Sequence, residues 1–259
     1  MTSFGERPFR MSHRVARMPR SCLLDRLPGD VCTRIVPELT LVELPLGKVL
    51  LESGSQGSGQ GLVGGGLVYF LRSGIVSVLY VTADGDSGEI VTIGKEGMVG
   101  VSLLMGCPAV HTRAVVQAPG EAFAMRADAM EREFKRGGPF QTMLLRHTQW
   151  MMAQMAQAAI CNRHHSIEKQ LCRWLLLGFE RLDGATELRI THEALANLLG
   201  VRREGVTEAA GRLQEAGAIS YARGCIRLED RALLEQRACE CYGLLASDYR
   251  QLCTGPQFL

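Results

Sequence analysis

The stretch from residue 192 to residue 211 constrains this chain most, because its small and apolar residues recur at the spacing of two short helices joined by a tight turn. Ala196 allows the two helix backbones to approach closely. Gly200 can adopt the positive φ that ends a helix, and Val206 returns to the apolar side formed by the first helix. The spacing therefore predicts a helix-turn-helix.

The second of these helices is predicted from about residue 202 to residue 214, with Val206, Ala210 and Leu213 turned inward. Polar side chains remain on its outer side. In the major groove of DNA, arginine can bridge guanine O6 and N7, and glutamate can accept from the cytosine amino group. We therefore predict DNA contacts from Thr191, Arg202, Arg203, Glu204, Thr207, Glu208 and Arg212. The alternative is a helical hairpin within an enzyme, with its arginines merely solvated.

The segment after Gly217 predicts a two-stranded hairpin that turns at residues 222–224. Such a hairpin would form a wing beside the two helices. Arg223 at its tip could contact a DNA phosphate, or could simply be solvated. Asp230 then caps a single predicted helix over residues 231–252.

Upstream of residue 137, short β-type runs alternate with glycine turns, which is typical of an antiparallel barrel or roll. The glycine-rich stretch at residues 54–66 is predicted to be a hairpin loop. The predicted fold class is α+β, with an N-terminal antiparallel β-roll, a long helix and a C-terminal winged helix-turn-helix.

The long helix is predicted from about residue 139 to residue 161 and carries a broad apolar stripe. Alternating steps of four and three residues suit a seam with a partner helix. The predicted dimer interface is Leu144, His147, Met151, Gln154 and Ala158. Two alternatives stay open: a seam shifted toward Trp150 and Met155, or a stripe that packs only against the chain's own roll.

The nine cysteines are odd in number and follow no secretion signal, which favours a reducing cytoplasm over a disulfide framework. Cys22 and Cys32 lack the close spacing of an iron-sulfur site. Cys239 and Cys241 lie two apart on one predicted helix, where they would diverge around its axis. The adjacent pair at residues 164–165 is predicted to be a helix-end pair, so no metal site is expected.

The length and charge of the chain restrict the classes of protein to which it can belong. The 259 residues, 46% of them hydrophobic, allow two domains, and no apolar run approaches the roughly 20 residues that span a membrane. Residues 1–20 are basic and predict a disordered tail, or translation that begins at Met11 or Met18. The net charge of +2 is small, but six arginines against four acids lie between residues 189 and 227.

The order of roll, long helix and winged helix-turn-helix resembles the Crp/Fnr family of bacterial transcription regulators, over nearly all of the chain after about residue 21. The resemblance is most specific at residues 191–228. It implies a β-roll sensor at residues 21–137 like a cyclic-nucleotide-binding domain, a dimerisation helix and hinge at 138–165, and a DNA-binding domain at 166–259. It also implies a homodimer on a near-palindromic DNA site, with RNA polymerase as a possible partner and no membrane contact.

Two positions of the second helix match the family and one departs from it. Arg203 and Glu204 match the arginine-glutamate pair that contacts bases in the family. Glu208 stands where the best-known members commonly have arginine. An acid there would repel phosphate and favour a cytosine amino group, so we expect a different DNA site.

The predicted effector pocket is Gly100, Val101, Ser102, Thr112 and Arg113, and it departs further from the family. In cyclic-nucleotide-binding members a Gly-Glu-Leu turn presents glutamate to the ribose, whereas here the turn reads Gly100-Val101-Ser102 and valine cannot accept that bond. Arg113 lies one residue after the position at which family members place the arginine that binds the cyclic phosphate. A shift of one residue along a strand moves a side chain to the opposite face of the sheet. We therefore expect an effector other than a cyclic nucleotide. Haem, through His111 or Cys107, lacks a paired axial ligand.

These observations together predict a dimeric, sequence-specific transcription regulator with no catalytic residue and no cofactor. One alternative is an effector-independent regulator with a vestigial sensor. Another is a cupin-like metal enzyme, which would need clustered histidines where the roll offers only His111.

Overall fold

The computed structural model describes residues 21–52, 66–105, 111–255 and 258. The predictions for the tail at residues 1–20, for nearly all of the glycine-rich loop and for Cys107 lie outside these residues. The strands in the described part are β1 (Leu39–Leu44), β2 (Val49–Leu51), β3 (Leu67–Leu71), β4 (Ile75–Val81), β5 (Ser87–Ile93), β6 (Met98–Val99), β7 (Thr112–Ala118), β8 (Gly120–Arg126), β9 (Glu187–Arg189), β10 (Ile219–Ala222) and β11 (Cys225–Leu228). The helices are α1 (Gly29–Ile35), α2 (Ala127–Lys135), α3 (Gly138–His164), α4 (Ile167–Arg181), α5 (His192–Leu199), α6 (Arg203–Glu215), α7 (Arg231–Arg237) and α8 (Cys241–Thr254).

The N-terminal part is a roll of two antiparallel sheets, with strand orders β1-β8-β3-β6 and β2-β7-β4-β5. Every pairing in them is antiparallel, as the short runs between glycine turns predict. Alternate residues of β7, namely Ala114, Val116 and Ala118, are buried, because successive side chains of a strand point to opposite faces. The α+β fold class with an N-terminal antiparallel roll is therefore confirmed.

Helix α3 packs along this roll and shares its hydrophobic core. Phe140, Met143 and Leu144 are at most 1% exposed and lie in the same cluster as the inner strand residues. Gly137 and Gly138 precede and begin the helix with positive φ, which lets the chain turn sharply after α2. Among the described helices, α3 included, none is long and apolar enough to cross a membrane.

The C-terminal part has a second core, built by α4, α5, α6 and a three-stranded sheet of order β10-β11-β9. The predicted hairpin is present as β10 and β11. Its turn consists of Arg223 and Gly224, at φ values of 51° and 74°, the two positive values of the tight turn that joins twisted strands. Strand β9 was not predicted, because it has only three residues. These residues pair with Cys225 to Arg227 of β11, which is distant in the sequence.

The two parts of the chain pack directly on each other. Ile75, Leu79 and Ala118 of the roll belong to the C-terminal hydrophobic cluster. Trp174 of α4 donates its indole N–H to Glu89 Oε1 of β5 at 3.0 Å. The contact between the roll and the C-terminal part therefore combines apolar packing with hydrogen bonds between buried or half-buried polar groups.

The C-terminal region departs from the prediction in two respects. The single helix predicted over residues 231–252 is wrong, since Ala238 is extended at ψ 162° and separates α7 from α8. Cys239 consequently lies outside both helices and does not share one with Cys241. The expectation of reduced cysteines is also wrong for one pair, because Cys22 and Cys253 form a disulfide. The two cysteines are 231 residues apart, and the pairing of such distant cysteines cannot be predicted from their spacing in the sequence.

Candidate nucleic-acid interface

The first helix of the predicted motif is fixed at both ends by local chemistry. Thr191 caps α5, with its Oγ1 accepting the backbone N–H of Ala194 at 3.1 Å. Gly200 ends the helix in the left-handed conformation, at φ 64° and ψ 37°. Thr191, predicted as a DNA contact, thus also positions the helix-turn-helix.

Helix α6 buries the apolar side that the residue spacing predicts. Val206, Ala210 and Leu213 are at most 2% exposed. Gly205 allows close packing on α4, because a Cβ there would lie 2.6 Å from Ile167 Cδ1. The helix begins at Arg203, one residue later than predicted, with Arg202 as its N-cap.

The outer side of α6 presents exposed polar side chains from its first two turns, namely Arg202, Arg203, Glu204, Thr207 and Glu208. The guanidinium groups of Arg202 and Arg203 form no ion pair with any described residue. Thr207 Oγ1 donates to the Arg203 carbonyl at 3.0 Å. Both arginines therefore remain available to an external anion or base edge.

Arg212 differs from the other predicted DNA contacts. Its Nε donates to Glu168 Oε2 of α4 at 2.7 Å, and its Nη1 donates to Glu208 Oε1 at 2.6 Å. The hydrogen bond to Glu168 raises the pKa of Arg212 above its ordinary value. The carboxylates neutralise the Arg212 charge, so this arginine braces α6 against α4.

A stacked ring pair that the sequence analysis missed connects α5 to the wing. The rings of His192 and Tyr221 lie 4.1 Å apart between centroids at an interplanar angle of 22°. Burial lowers the pKa of His192, and the positive charge of Arg203 lowers it further. His192 Nδ1 also lies 3.1 Å from Thr207 Oγ1. His192 therefore contacts both the wing and the outer side of α6.

The wing adds positive charge beside α6. Arg223 is exposed at the tip of the hairpin, while Arg227 on β11 is paired with Glu187 at 2.5 Å. Of the six arginines between residues 189 and 227, those that form no ion pair with described residues are Arg189, Arg202, Arg203 and Arg223. They belong to a segment that has six arginines against four acids and so a modest excess of positive charge, even though the net charge of the chain is only +2.

A second feature is a cavity of about 300 Å³ inside the roll, closed on one side by α3. It includes four of the five predicted effector residues: Gly100, Val101, Ser102 and Thr112. The other lining side chains are apolar apart from Thr148 of α3, so the polar groups of the described lining are hydroxyls. The remaining lining residues are Leu51, Val78, Ile90, Ile93, Met98, Val99, Met151, Met152 and Met155.

Arg113 does not line this cavity. It neighbours Thr112 on β7, and its Nε lies 3.2 Å from Glu52 Oε2 in a half-exposed ion pair. Adjacent residues of a strand point to opposite faces, as the one-residue offset in the sequence indicates. The inclusion of Arg113 in the effector pocket is therefore corrected.

The predicted dimer seam on α3 also needs correction. Leu144, His147, Met151 and Gln154 are between 0% and 9% exposed within a single protomer, and Ala158 is half-buried. These side chains pack against the chain's own roll, the alternative that the sequence left open. The exposed side of α3 instead carries Leu145, Gln149, Met152, Ala156, Ala159 and Ile160.

Comparison with known proteins agrees with this architecture. Residues 169–237 match the family model of the Crp-like helix-turn-helix domain. The Global nitrogen regulator of Nostoc sp. strain PCC 7120 is 27% identical over 178 residues, which cover 66% of this chain and 80% of that protein.

Solved structures show the same fold. A candidate transcriptional regulator of the Crp/Fnr family from Eubacterium rectale superimposes with a TM-score of 0.64 at 19% identity, covering 83% of this chain and 96% of that one. A Crp/Fnr-family transcriptional regulator from Thermus thermophilus gives a TM-score of 0.62 at 21% identity, covering 76% and 97%. The match therefore extends beyond the DNA-binding domain to the roll and the long helix.

Proposed function

We propose that this chain, which carries a Crp-like helix-turn-helix domain, is a transcription regulator of the Crp/Fnr type. In this proposal it binds DNA as a homodimer, and its choice of DNA site responds to a small apolar ligand in the β-roll. The observation that carries the DNA-binding part is the outer side of α6. Arg202 and Arg203 stand there without an ion-pair partner among the described residues, on a helix whose other side is seated in the domain core. We propose no catalytic role, and a site of action in the cytoplasm, where bacterial DNA lies.

The proposed reading mode places the first turns of α6 in the major groove. Arg203 would bridge the O6 and N7 atoms of guanine, and Glu204 would accept from a cytosine amino group. Arg223 on the wing would meet a phosphate, which contributes affinity without sequence choice. Glu208 is held by Arg212, so we propose that it shapes the edge of the site while base selection rests on the residues before it.

The proposed dimer uses the exposed side of α3. Leu145, Met152, Ala156, Ala159 and Arg163 recur at the steps of a coiled-coil seam, and Leu145 and Met152 are 56% and 60% exposed. A second copy of the chain is the fitting occupant, because two identical helices can bury the same stripe symmetrically. The small alanines would let the helix backbones approach closely. Contact with RNA polymerase remains a prediction of the family resemblance.

The position of the cavity suggests how a bound ligand would affect the proposed dimer contact. Met152 both lines the cavity and belongs to the exposed stripe of α3. An occupant that shifts Met152 would change the packing of the two α3 helices and with it the distance between recognition helices. A ligand shifts the equilibrium only by its different affinity for the two geometries. The hydroxyl and apolar lining favours an uncharged, largely apolar compound.

Selection of bound sequences from random double-stranded DNA tests the proposal. We expect enrichment of an inverted repeat whose half-sites lie about 34 Å apart, one helical turn, with an affinity that falls steeply with salt. Enrichment of a site without twofold symmetry would contradict the dimer. No enrichment at all, together with weak and sequence-independent binding, would contradict the regulator. Repeating the selection with indole as an apolar probe tests whether the cavity influences the readout.

A further inference from the structure

Four potential metal ligands converge at the junction between α3 and the C-terminal helices. Cys161 lies in the last turn of α3, and His165 follows the helix directly. Cys239 lies in the link between α7 and α8, and Cys241 is the first residue of α8. Their sulfur and imidazole nitrogen atoms all lie within 4.8 Å of one another.

Two of the distances between these atoms fit two pairs of ligands around a single tetrahedral ion. Cys161 Sγ and Cys239 Sγ are 3.6 Å apart, and Cys241 Sγ is 3.5 Å from His165 Nδ1. Zinc bonds of about 2.3 Å to sulfur and about 2.0 Å to nitrogen place two tetrahedral ligands about 3.5 to 3.8 Å apart. An iron-sulfur cluster would need its thiolates further apart, around several irons. The three thiols are at most 4% exposed and form a cluster separate from the main cores.

The surroundings of the four ligands support a bound cation. His165 directs Nδ1 toward the cluster, and its Nε2 lies 3.2 Å from Glu240 Oε1, the carboxylate-histidine arrangement that orients metal-binding imidazoles. Gln157 Nε2 donates to Cys241 Sγ at 2.8 Å, a bond that a thiolate strengthens.

Arg173 supplies an independent observation. It is 8% exposed, its Nε has no hydrogen-bond partner among the described residues, and it interacts electrostatically with Cys161. A buried guanidinium needs nearby negative charge. Three thiolates, one neutral imidazole and one divalent ion have a net charge of −1, which Arg173 would balance.

We propose that Cys161, His165, Cys239 and Cys241 form a structural site for one thiophilic divalent ion, zinc by its ligand set. The four protein ligands complete a tetrahedral shell, which is the mark of a structural rather than a catalytic zinc site. Binding releases the thiol protons, because the thiolate is the ligand. The ion joins the end of the long helix to the α7–α8 link and so fixes the hinge between the roll and the DNA-binding domain.

Metal content and cobalt spectroscopy of the full chain test the site itself. We expect one zinc per chain by mass spectrometry of the purified protein. Cobalt added to metal-free, reduced protein should give the visible bands of tetrahedral Co²⁺ and a thiolate-to-cobalt charge-transfer band. Reduced wild-type protein that takes up neither ion would overturn the proposal, and so would a metal-free Cys161–Cys239 disulfide that persists after reduction.

Matched variants locate the ion. Cys239→Ser and His165→Ala should lose the stoichiometric zinc and change the cobalt spectrum. Cys32→Ser removes a half-buried thiol far from the cluster, and His164→Ala removes the exposed neighbour of His165, so both should retain one zinc. Equal zinc in all four variants would mean adventitious binding and would refute the site. If a variant fails to fold, the cobalt spectrum of the wild-type protein still decides.

The effect of the ion on the hinge rests on the proposed DNA-binding function, so it is measured separately. Zinc removal with a chelator under reducing conditions should weaken binding to the selected DNA by about 10-fold or more, and zinc should restore it, because a loose hinge costs ordering entropy on binding. Unchanged DNA binding with confirmed zinc loss would refute the hinge role and leave the site intact. Absence of DNA binding in both forms would instead count against the proposed function.

Discussion

Arg181 Nε donates to Glu96 Oε1 at 2.8 Å, and the two side chains are 1% and 0% exposed. Glu96 follows strand β5 of the roll, whereas Arg181 is the last residue of α4, so the pair joins the roll to the helix-turn-helix domain. The same Glu96 oxygen accepts the backbone N–H of Gly94 at 3.1 Å. The pair therefore fixes the place where the two parts of the protein meet.

Breaking this pair should destabilise the protein strongly. Arg181→Met leaves the Glu96 carboxylate buried without its partner, a change that typically costs about 3 to 5 kcal/mol of unfolding free energy. Urea unfolding measures it. The double variant Arg181→Met/Glu96→Leu should recover much of the loss, because it removes both buried charges. As a control, Arg227→Met breaks the exposed pair with Glu187 and should change little; an equal loss in that control would contradict the interpretation.

Arg203 and Arg212 lie on the same helix but should respond differently to substitution. Arg203→Ala removes a proposed base contact and should weaken specific DNA binding by about 10- to 100-fold, since one bidentate contact contributes about 1 to 3 kcal/mol of discrimination. Arg212→Ala removes a charge already neutralised by Glu168 and Glu208, so it should affect unfolding more than DNA binding. Fluorescence anisotropy with the selected site separates the two. Equal losses of DNA affinity in the two variants would contradict the proposal that Arg203, and not Arg212, contacts the bases.

The roll cavity should bind neutral apolar molecules. Indole at saturating concentration should raise the melting temperature, since a ligand at 100 times its Kd adds about 2.7 kcal/mol to the unfolding free energy. Val78→Phe fills the cavity and should abolish the shift, whereas Arg113→Ala should retain it because Arg113 pairs with Glu52 outside the cavity. Stabilisation by cyclic AMP that is lost in Arg113→Ala would contradict this prediction, because it would show that the roll binds an anionic ligand.

The exposed stripe of α3 should control assembly. Met152→Glu places like charges across the proposed twofold contact and should weaken the dimer by about 10-fold or more, because facing like charges cost several kcal/mol. Sedimentation velocity measures the association. Leu244→Glu on α8 is the matched control, because Leu244 is 56% exposed and Met152 is 60% exposed, and it should leave the dimer unchanged. A Met152→Glu protein that stays dimeric would move the contact elsewhere.

Stability should fall on acidification because of His147. Burial lowers the pKa of His147 to about 4, below its ordinary value of 6.5, so the unfolded chain binds the proton more readily between these values. The contribution is complete above pH 6.5 and is lost toward pH 4, at a slope of at most about 1.4 kcal/mol per pH unit. Urea unfolding at pH 7 and pH 5 should show the loss. His147→Phe should flatten this part of the profile, and an unchanged slope would refute the assignment.

The helix-turn-helix could be predicted because its determinants are local. Ala196, Gly200 and Val206 lie within eleven residues, and each has a steric reason to occupy its position. The wing was equally local, and its turn at Arg223 and Gly224 lies within the predicted residues 222–224. Fold class followed from periodicity, which a sequence displays directly.

The exposed side of α3 could not be predicted in the same way. The helix is apolar over a broad arc, and periodicity does not say which part of that arc packs against the roll. His147 illustrates the difficulty, since a histidine in the stripe suggested a seam residue but is fully buried beside the Met98 carbonyl, 3.1 Å from its Nε2. Burial depends on tertiary contacts that the helix alone does not determine.

The cysteine cluster was missed for two reasons. One ligand, Cys239, lies in a link that was predicted to be helical, and it is 78 residues from Cys161 along the chain. One signal was present: Cys161 and His165 stand four residues apart, the spacing that places two ligands on one face at the end of a helix.

Helix α8 is held at both of its ends. Near its C-terminus the Cys22–Cys253 disulfide joins it to the start of the roll, and at its N-terminus the metal ligands join it to the end of α3. With the ion bound, α8 would be tied at both ends to the roll and to α3, so it would keep its place beside these elements whatever the recognition helix does.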